Sequence, residues 1–439
     1  MTSRPGDPSL ASHQNGRWRL PRARVWRGLD GPGPVWIVCV AILVLRQPDA
    51  LRHATFWGED GWIWYPQAYA DGWRALLQPH TGYLQTVSRL VALAIQPLPL
   101  AWAPTLFASV AIALQALPEA FLLSRRLDQA WPNMPARRLF ALLYAALPNM
   151  FEVSANLTNA QWHLAVLAFL VLASTPARGW AGRAFDAVVL VLSGLSGPFC
   201  LFLLPVAVVT GWRDGTDQRR WRSAALAGCA LIQAVCLVAT ADGARSAAPL
   251  GASLAGLARI VAVQIMLGPL LGARLGRHLV GTGLWAWDAV PILLAGGGLL
   301  LAALALRRGS PLLRLAAFAA SALFAAALAS PQVRLDEPQW LAMTRPGAGQ
   351  RYYLVPMLVW ISMLLTLAAA PQRAPRLLAR GLLCAACIGI VGDWHPPKMG
   401  RTDFVDRARA FAVAPPGTRA EFPLHPPGAS PMVLVKRQP

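Results

Sequence analysis

Residues 81–99 read TGYLQTVSRLVALAIQPLP, and whether they cross a membrane decides the topology of everything that follows. The run is apolar enough to span, yet it carries Ser88, Arg89 and Gln96 and is broken by Pro97 and Pro99. Parity separates the two choices. A span here would put the Arg125/Arg126 and Arg137/Arg138 cluster outside, against the tendency of Lys- and Arg-rich loops to remain cytoplasmic. Laid along the interface as a juxtamembrane segment, it leaves the arginine clusters at 125–138, 213–222, 307–314 and 373–380 all inside.

The composition of the 439-residue chain supports a membrane setting: 56% of residues are hydrophobic, 14% are charged and the mean hydropathy is +0.44. Apolar runs bounded by Arg, Pro or Gly predict spans near 34–46, 101–124, 137–151, 161–175, 185–196, 198–212, 223–240, 288–306, 312–330, 351–370 and 376–392. Several are shorter than the roughly 20 residues needed to cross the hydrocarbon alone, so they borrow flanking residues or lie buried among neighbours. The expected fold class is an all-α polytopic membrane protein with about eleven transmembrane helices and juxtamembrane helices in the first outer loop. Its parts are a cytoplasmic Arg-rich tail (1–33), a transmembrane module (34–240) with outer loop 47–100, a variable transmembrane module (241–392) with outer loops, and an extracytoplasmic C-terminal segment (393–439).

The net charge of +20 raises the question of nucleic acid, but the arginines sit in short clusters between apolar runs, as a membrane topology requires. No nucleic-acid partner is expected. Lys398 and Lys436 are the only lysines, a skew that codon bias in a GC-rich genome accounts for. All six cysteines fall in apolar segments and act as small hydrophobes, including the Cys384/Cys387 pair, so no disulfide framework is indicated. The topology sorts the acids outward: Asp49, Glu59, Asp60, Asp71, Glu152, Asp242, Asp288, Asp336, Glu337, Asp393, Asp403, Asp406 and Glu421 all come out external or at the external membrane face. The chemistry should therefore face away from the cytoplasm.

The first outer loop reads Phe56-Trp57-Gly58-Glu59-Asp60-Gly61-Trp62-Ile63-Trp64-Tyr65, two adjacent carboxylates between glycines and aromatics. Carboxylates at a membrane face are costly unless used, and one held there suits deprotonation of an acceptor hydroxyl. A solvated turn with an aromatic belt is the other reading. His80 leads into the juxtamembrane segment, placed either to meet a lipid phosphate or as an ordinary loop residue. The second outer turn, Pro148 to His163, concentrates Glu152, Asn156, Asn159 and other polar groups where two helices meet; they either line a cavity or cap a hairpin. Ser193-Gly194-Leu195-Ser196-Gly197-Pro198-Phe199 breaks one long apolar run and predicts a helical hairpin. Arg351, followed by Tyr352 and Tyr353 at the start of a late span, can fork onto phosphate oxygens, with snorkelling as the alternative. Nucleotide-binding glycine loops, H-E-x-x-H and a Ser-His-Asp grouping are all missing, so a donor should come through the membrane.

This pattern resembles the GT-C superfamily of integral-membrane glycosyltransferases, which includes protein mannosyltransferases, the aminoarabinose transferase of lipid A and oligosaccharyltransferase catalytic subunits. Glu59-Asp60 matches the acidic pair of their first outer loop, 61–99 their juxtamembrane helices, Glu152 their second-turn acid and Arg351 to Tyr353 the start of a late helix. His80 stands where lipid-linked aminopentose enzymes carry a basic residue. The segments around Glu59-Asp60-Gly61, Thr158-Asn159-Ala160-Gln161-Trp162 and Gly197-Pro198-Phe199 also look like a group of bacterial GT-C-like membrane proteins.

The resemblance, over about 34–370, implies an inverting transfer of one sugar from a polyprenyl-phosphate donor to a glycan or lipid acceptor of the cell envelope. The setting is the bacterial inner membrane, with the N-terminus cytoplasmic and the C-terminus periplasmic or extracellular. Asp60 is the preferred base, with Glu59 orienting the acceptor or sharing that role. Glu152, Asn156 and Asn159 line the sugar site, Arg351 with His80 holds the donor phosphate, and Tyr352 is a further substrate-binding residue. A divalent ion, Mg or Mn, is an open possibility, with Glu59, Asp60 and Glu152 as its ligands. The rival expectations are a polysaccharide polymerase or ligase, and a transporter or flippase of lipid-linked glycan, for which paired broken helices would speak.

Overall fold

A computed structural model describes residues 31–53, 55–240, 248–334, 336–428 and 430–438; most of the expected N-terminal tail, and Asp242, lie outside the described residues. The chain is overwhelmingly helical, with one two-stranded antiparallel ribbon near its end. Among the described residues six helices are long and apolar enough to cross a membrane: Leu100–Phe121, Asp217–Ala239, Ala289–Arg308, Pro311–Ala329, Gln350–Ala368 and Arg373–Gly392. A seventh is gained if the pair Leu254–Met266 and Gly268–Val280, bent by 118°, counts as one span.

The expected eleven spans are thus corrected to six, or seven with the bent pair. Six of the predicted apolar runs match the six long helices. The other five also form helices, but of only 15, 12, 14, 15 and 16 residues: Pro32–Arg46, Met134–Ala145, Ala160–Ala173, Trp180–Gly194 and Phe199–Asp214. At 1.5 Å per residue a 15-residue helix reaches about 22 Å, short of about 30 Å of hydrocarbon. Pro and Gly end these helices early, and two of them carry charged residues away from their last turn: Arg137 and Arg138 in one, Arg183 and Asp186 in another. Ala160–Ala173 is buried almost all round, as a short helix enclosed by neighbours must be. The bent helix pair falls within 241–287, at the start of the second expected module.

Close approach marks a further kink inside Gly268–Val280. Gly272 has φ 73° and sits against the carboxylate of Asp393, where a Cβ would lie 2.5 Å from Oδ2. Gly389 of the last long helix would bring its own Cβ to 2.5 Å from the Leu270 carbonyl. Small residues let two backbones meet where larger ones would hold them apart.

The arginine clusters at 125–138 and 213–222 meet at one end of the bundle. Arg126 holds both oxygens of the fully buried Asp186 at 2.8 Å, and Arg222 reaches the same carboxylate. The first loop lies at the other end, clasped by the C-terminal segment. Helix Phe404–Val413 and the ribbon of β1 (Arg419–Phe422) and β2 (Met432–Val435) place Phe404, Phe411, Phe422, Leu424, Met432 and Leu434 against Phe56, Trp64, Tyr65 and Phe107. His425 adds two backbone hydrogen bonds, donating to Phe56 O at 2.9 Å and accepting from Gly58 N at 2.6 Å. The C-terminal segment is therefore a small packed unit.

Candidate functional site

The acidic pair sits on a turn of π-helix, Asp60–Trp64, begun by Gly58 at φ 31°. Successive residues on a helical turn point about 100° apart, so the two carboxylates cannot face the same way. Asp60 turns inward and is 1% exposed. Its Oδ2 accepts from Leu157 N at 3.0 Å, and its Oδ1 accepts from Thr158 N at 2.8 Å and Thr158 Oγ1 at 2.9 Å. Burial pushes Asp60 up to about 7, with those three hydrogen bonds pulling the other way and neighbouring Glu59 adding to the rise. Asp60 pins the first loop to the second turn.

Glu59 faces outward into a cavity of about 250 Å³, where it is joined by His80, Glu152, Asn159, Arg351 and Tyr352. Six of the eight predicted site residues thus line one space. Trp57, Trp64, Tyr83 and Trp162 supply aromatic walls. Arg351 pairs with Glu152 through Nη1, and its guanidinium lies 4.8 Å from the centroid of the Tyr352 ring. It also donates to the Gln332 carbonyl. His80 stands edge-on to Trp64 at 5.3 Å, and burial holds its imidazole below the ordinary value.

The remaining predicted residue, Asn156, is absent from the lining. It is 2% exposed; its Nδ2 donates to Glu152 O and Ser154 O, and its Oδ1 accepts from Asn159 N. It shapes the turn that carries Glu152 and Asn159 rather than facing the cavity.

A buried chain of amides supports that turn from behind. Gln264 Nε2 donates to Met343 O and Arg345 O, Asn149 Nδ2 donates to Gln264 Oε1, Gln350 Nε2 donates to Asn149 Oδ1, and Glu152 N donates to Gln350 Oε1 at 2.6 Å. Gln233 does the same for the break at 193–198: its amide bonds Leu84, Gly194 and Gly197, while Thr86 N donates to Leu195 O. These glutamines escape a reading by motif, although a lone Gln inside an apolar helix is itself a signal of a buried polar contact. Arg89 is a further surprise. It is fully buried beneath Trp64, its guanidinium 4.9 Å from the ring centroid, where the sequence suggested an interfacial residue.

The carboxylates do not fit a shared divalent ion. Asp60 is committed to Leu157 and Thr158, Glu152 is paired with Arg351, and no group of three His, Cys, Asp or Glu side chains converges among the described residues. The fold and site define a helical membrane protein with a polar, aromatic-walled cavity at the end of its bundle that holds the first loop. No protein family, no curated protein and no solved structure matches the chain.

Proposed function

We propose that the chain is a glycosyltransferase of the bacterial inner membrane. It moves one sugar from a polyprenyl-phosphate donor to a cell-envelope glycan or lipid acceptor on the extracytoplasmic face, with its N-terminus cytoplasmic and its C-terminus outside. The observation that carries this reading is the meeting of one uncommitted carboxylate, Glu59, with a positioned guanidinium, Arg351, over a single aromatic-walled cavity.

The base in this reading is Glu59, because both oxygens of Asp60 already accept backbone and hydroxyl donors in a buried site. Glu59 takes the proton of an acceptor hydroxyl as that oxygen attacks the anomeric carbon. The bond from that carbon to the donor phosphate oxygen breaks, the phosphate leaves with the electron pair, and the anomeric configuration inverts. Arg351 neutralises the departing phosphate, held in place by Glu152 and the Gln332 carbonyl. His80, on the same cavity wall, contributes a hydrogen bond to the donor phosphate. Asp60 is a positioning residue. Trp64 donates to Thr158 Oγ1 at 2.9 Å and Trp57 packs edge-on to Phe151 at 5.3 Å, which suits anchoring of the loop more than sugar stacking.

The transporter reading draws on the 118° bend between Leu254–Met266 and Gly268–Val280. Among the described residues it is the one such pair, whereas an inverted repeat calls for two. The test is transfer of radiolabelled sugar from a panel of undecaprenyl-phosphate monosaccharides in membranes holding wild type or Glu59→Gln at matched protein levels. Transfer that depends on Glu59 supports the reading. Equal transfer by both proteins, or none from any donor with native envelope acceptors present, overturns it.

A further inference from the structure

Behind the turn 149–155, on the side away from Glu59, lies a second and larger cavity of about 490 Å³. Its lining carries Arg46, Arg274, Arg277 and Lys398, with His395 beside them, against a single carboxylate, Asp393. That carboxylate is already taken: it accepts from Asn149 N at 3.0 Å, from Ala273 N at 2.5 Å and from Arg274 N at 3.1 Å. Arg46 is fixed in place, its guanidinium donating to Ala145 O and Leu147 O at 3.0 Å each. Arg274, Arg277 and Lys398 are exposed, and among the described residues none of the three forms an ion pair with an acid. Four other arginines between 254 and 407 are matched to acids: Arg259 to Asp288, Arg334 to Asp336, Arg345 to Glu337 and Arg407 to Asp403.

Four cations gathered on one concave wall repel one another unless an anion joins them. Three separate chain segments supply them, so the gathering belongs to the fold and not to one basic run. The arginine guanidiniums are suited to forked contact with phosphate oxygens. We infer that this cavity is a second binding site, for a phosphate- or diphosphate-bearing group, distinct from the cavity of Glu59 and Arg351. If the proposed transfer holds, and this clause rests on it, the acceptor is anionic and is gripped here while its hydroxyl reaches Glu59 past the turn 149–155.

The test is direct binding, independent of any transfer activity. Full-length protein in nanodiscs of neutral phosphatidylcholine is titrated with inorganic pyrophosphate by calorimetry, and phosphatidic acid is offered separately with adducts counted by native mass spectrometry. Wild type should bind at least one probe, more weakly as salt rises. Arg274→Gln with Arg277→Gln should weaken that binding at least tenfold, and Lys398→Gln on a different segment should weaken it less. Arg407→Gln, at an exposed arginine already paired with Asp403 and outside both cavities, should leave it unchanged, which separates binding in this cavity from general attraction to positive charge. Binding of pyrophosphate alone assigns the site to a soluble or glycan-borne phosphate, and binding of phosphatidic acid alone assigns it to a lipid headgroup. Equal binding by wild type and the double variant, or no binding of either probe, overturns the inference.

Discussion

The two cavities share a wall, the turn 149–155, and differ in how they handle charge. In the smaller one, opposite charges are paired: Arg351 lies against Glu152, and Glu59 is the carboxylate that no side chain of the fold has claimed. In the larger one, positive charge is gathered and the single acid is spent on backbone amides. A matched pair with one acid to spare suits a proton transfer beside a leaving anion, whereas unmatched cations suit capture of an anion. The two sides are also tied mechanically, since the Gln264, Asn149, Gln350 and Glu152 hydrogen bonds run through the wall between them.

The sharpest way to break the comparison is Glu59→Gln. If Glu59 is the base, transfer should fall about 100- to 10,000-fold while the melting temperature stays put. A matching loss of stability would move Glu59 from chemistry to scaffolding.

Asp60 should behave in the opposite manner. Asp60→Ala strands three donors, Leu157 N, Thr158 N and Thr158 Oγ1, each worth about 1–3 kcal/mol when left unpaired in a buried site. Folded protein should drop sharply, read by melting in detergent. The residue also sets a pH dependence. Burial pushes Asp60 up to about 7, against about 3.9 for an unfolded aspartate, so the folded chain holds that proton more tightly. Its contribution to stability is present in full at acid pH, declines as pH rises between those values, and is level above about 7. Asp60→Asn removes the ionisable group, so melting temperatures taken from pH 5 to 8 should lose that part of their slope.

Much of the smaller cavity was legible because its polar residues stand in the loops and turns between apolar runs. Glu59 and His80 flank the first loop, Glu152 and Asn159 the second turn, and Arg351 and Tyr352 the start of a late helix. Residue type and position sufficed to bring them together. Which of two adjacent acids faces inward depends on where the π-turn begins, and the sequence has no local mark for that. The larger cavity was illegible for a different reason: Arg46, Arg274 with Arg277, and Lys398 come from three segments more than a hundred residues apart, and only the fold brings them together.

A smaller effect sharpens the role of the paired charges. Arg351→Gln should lower transfer about tenfold or more, and Glu152→Gln should lower it less, since the guanidinium keeps its bond to the Gln332 carbonyl. A double-mutant cycle on melting free energy should return a coupling of about 0.5–3 kcal/mol. A coupling near zero would mean that the pair is incidental and that Arg351 is positioned by the carbonyl and the Tyr352 ring alone.

The mildest test concerns the clasp that holds Glu59's turn in place. Gly61 is buried between Leu424 and Phe56, so a Cβ there would overlap Leu424 Cδ2 and lie 2.8 Å from Phe56 Cβ. Gly61→Ala should cost about 1–3 kcal/mol as an overpacked contact, read as faster trypsin cleavage within 404–438. Leu424→Ala alone removes packing and should also speed cleavage. Combined, the two changes should be less damaging than their sum, because the smaller side chain at 424 makes room for the new methyl. If they simply add, the C-terminal unit is not what fixes the π-turn. The orientation of Glu59 would then rest on the Asp60 hydrogen bonds alone, and the smaller cavity would keep its shape with the C-terminal segment detached.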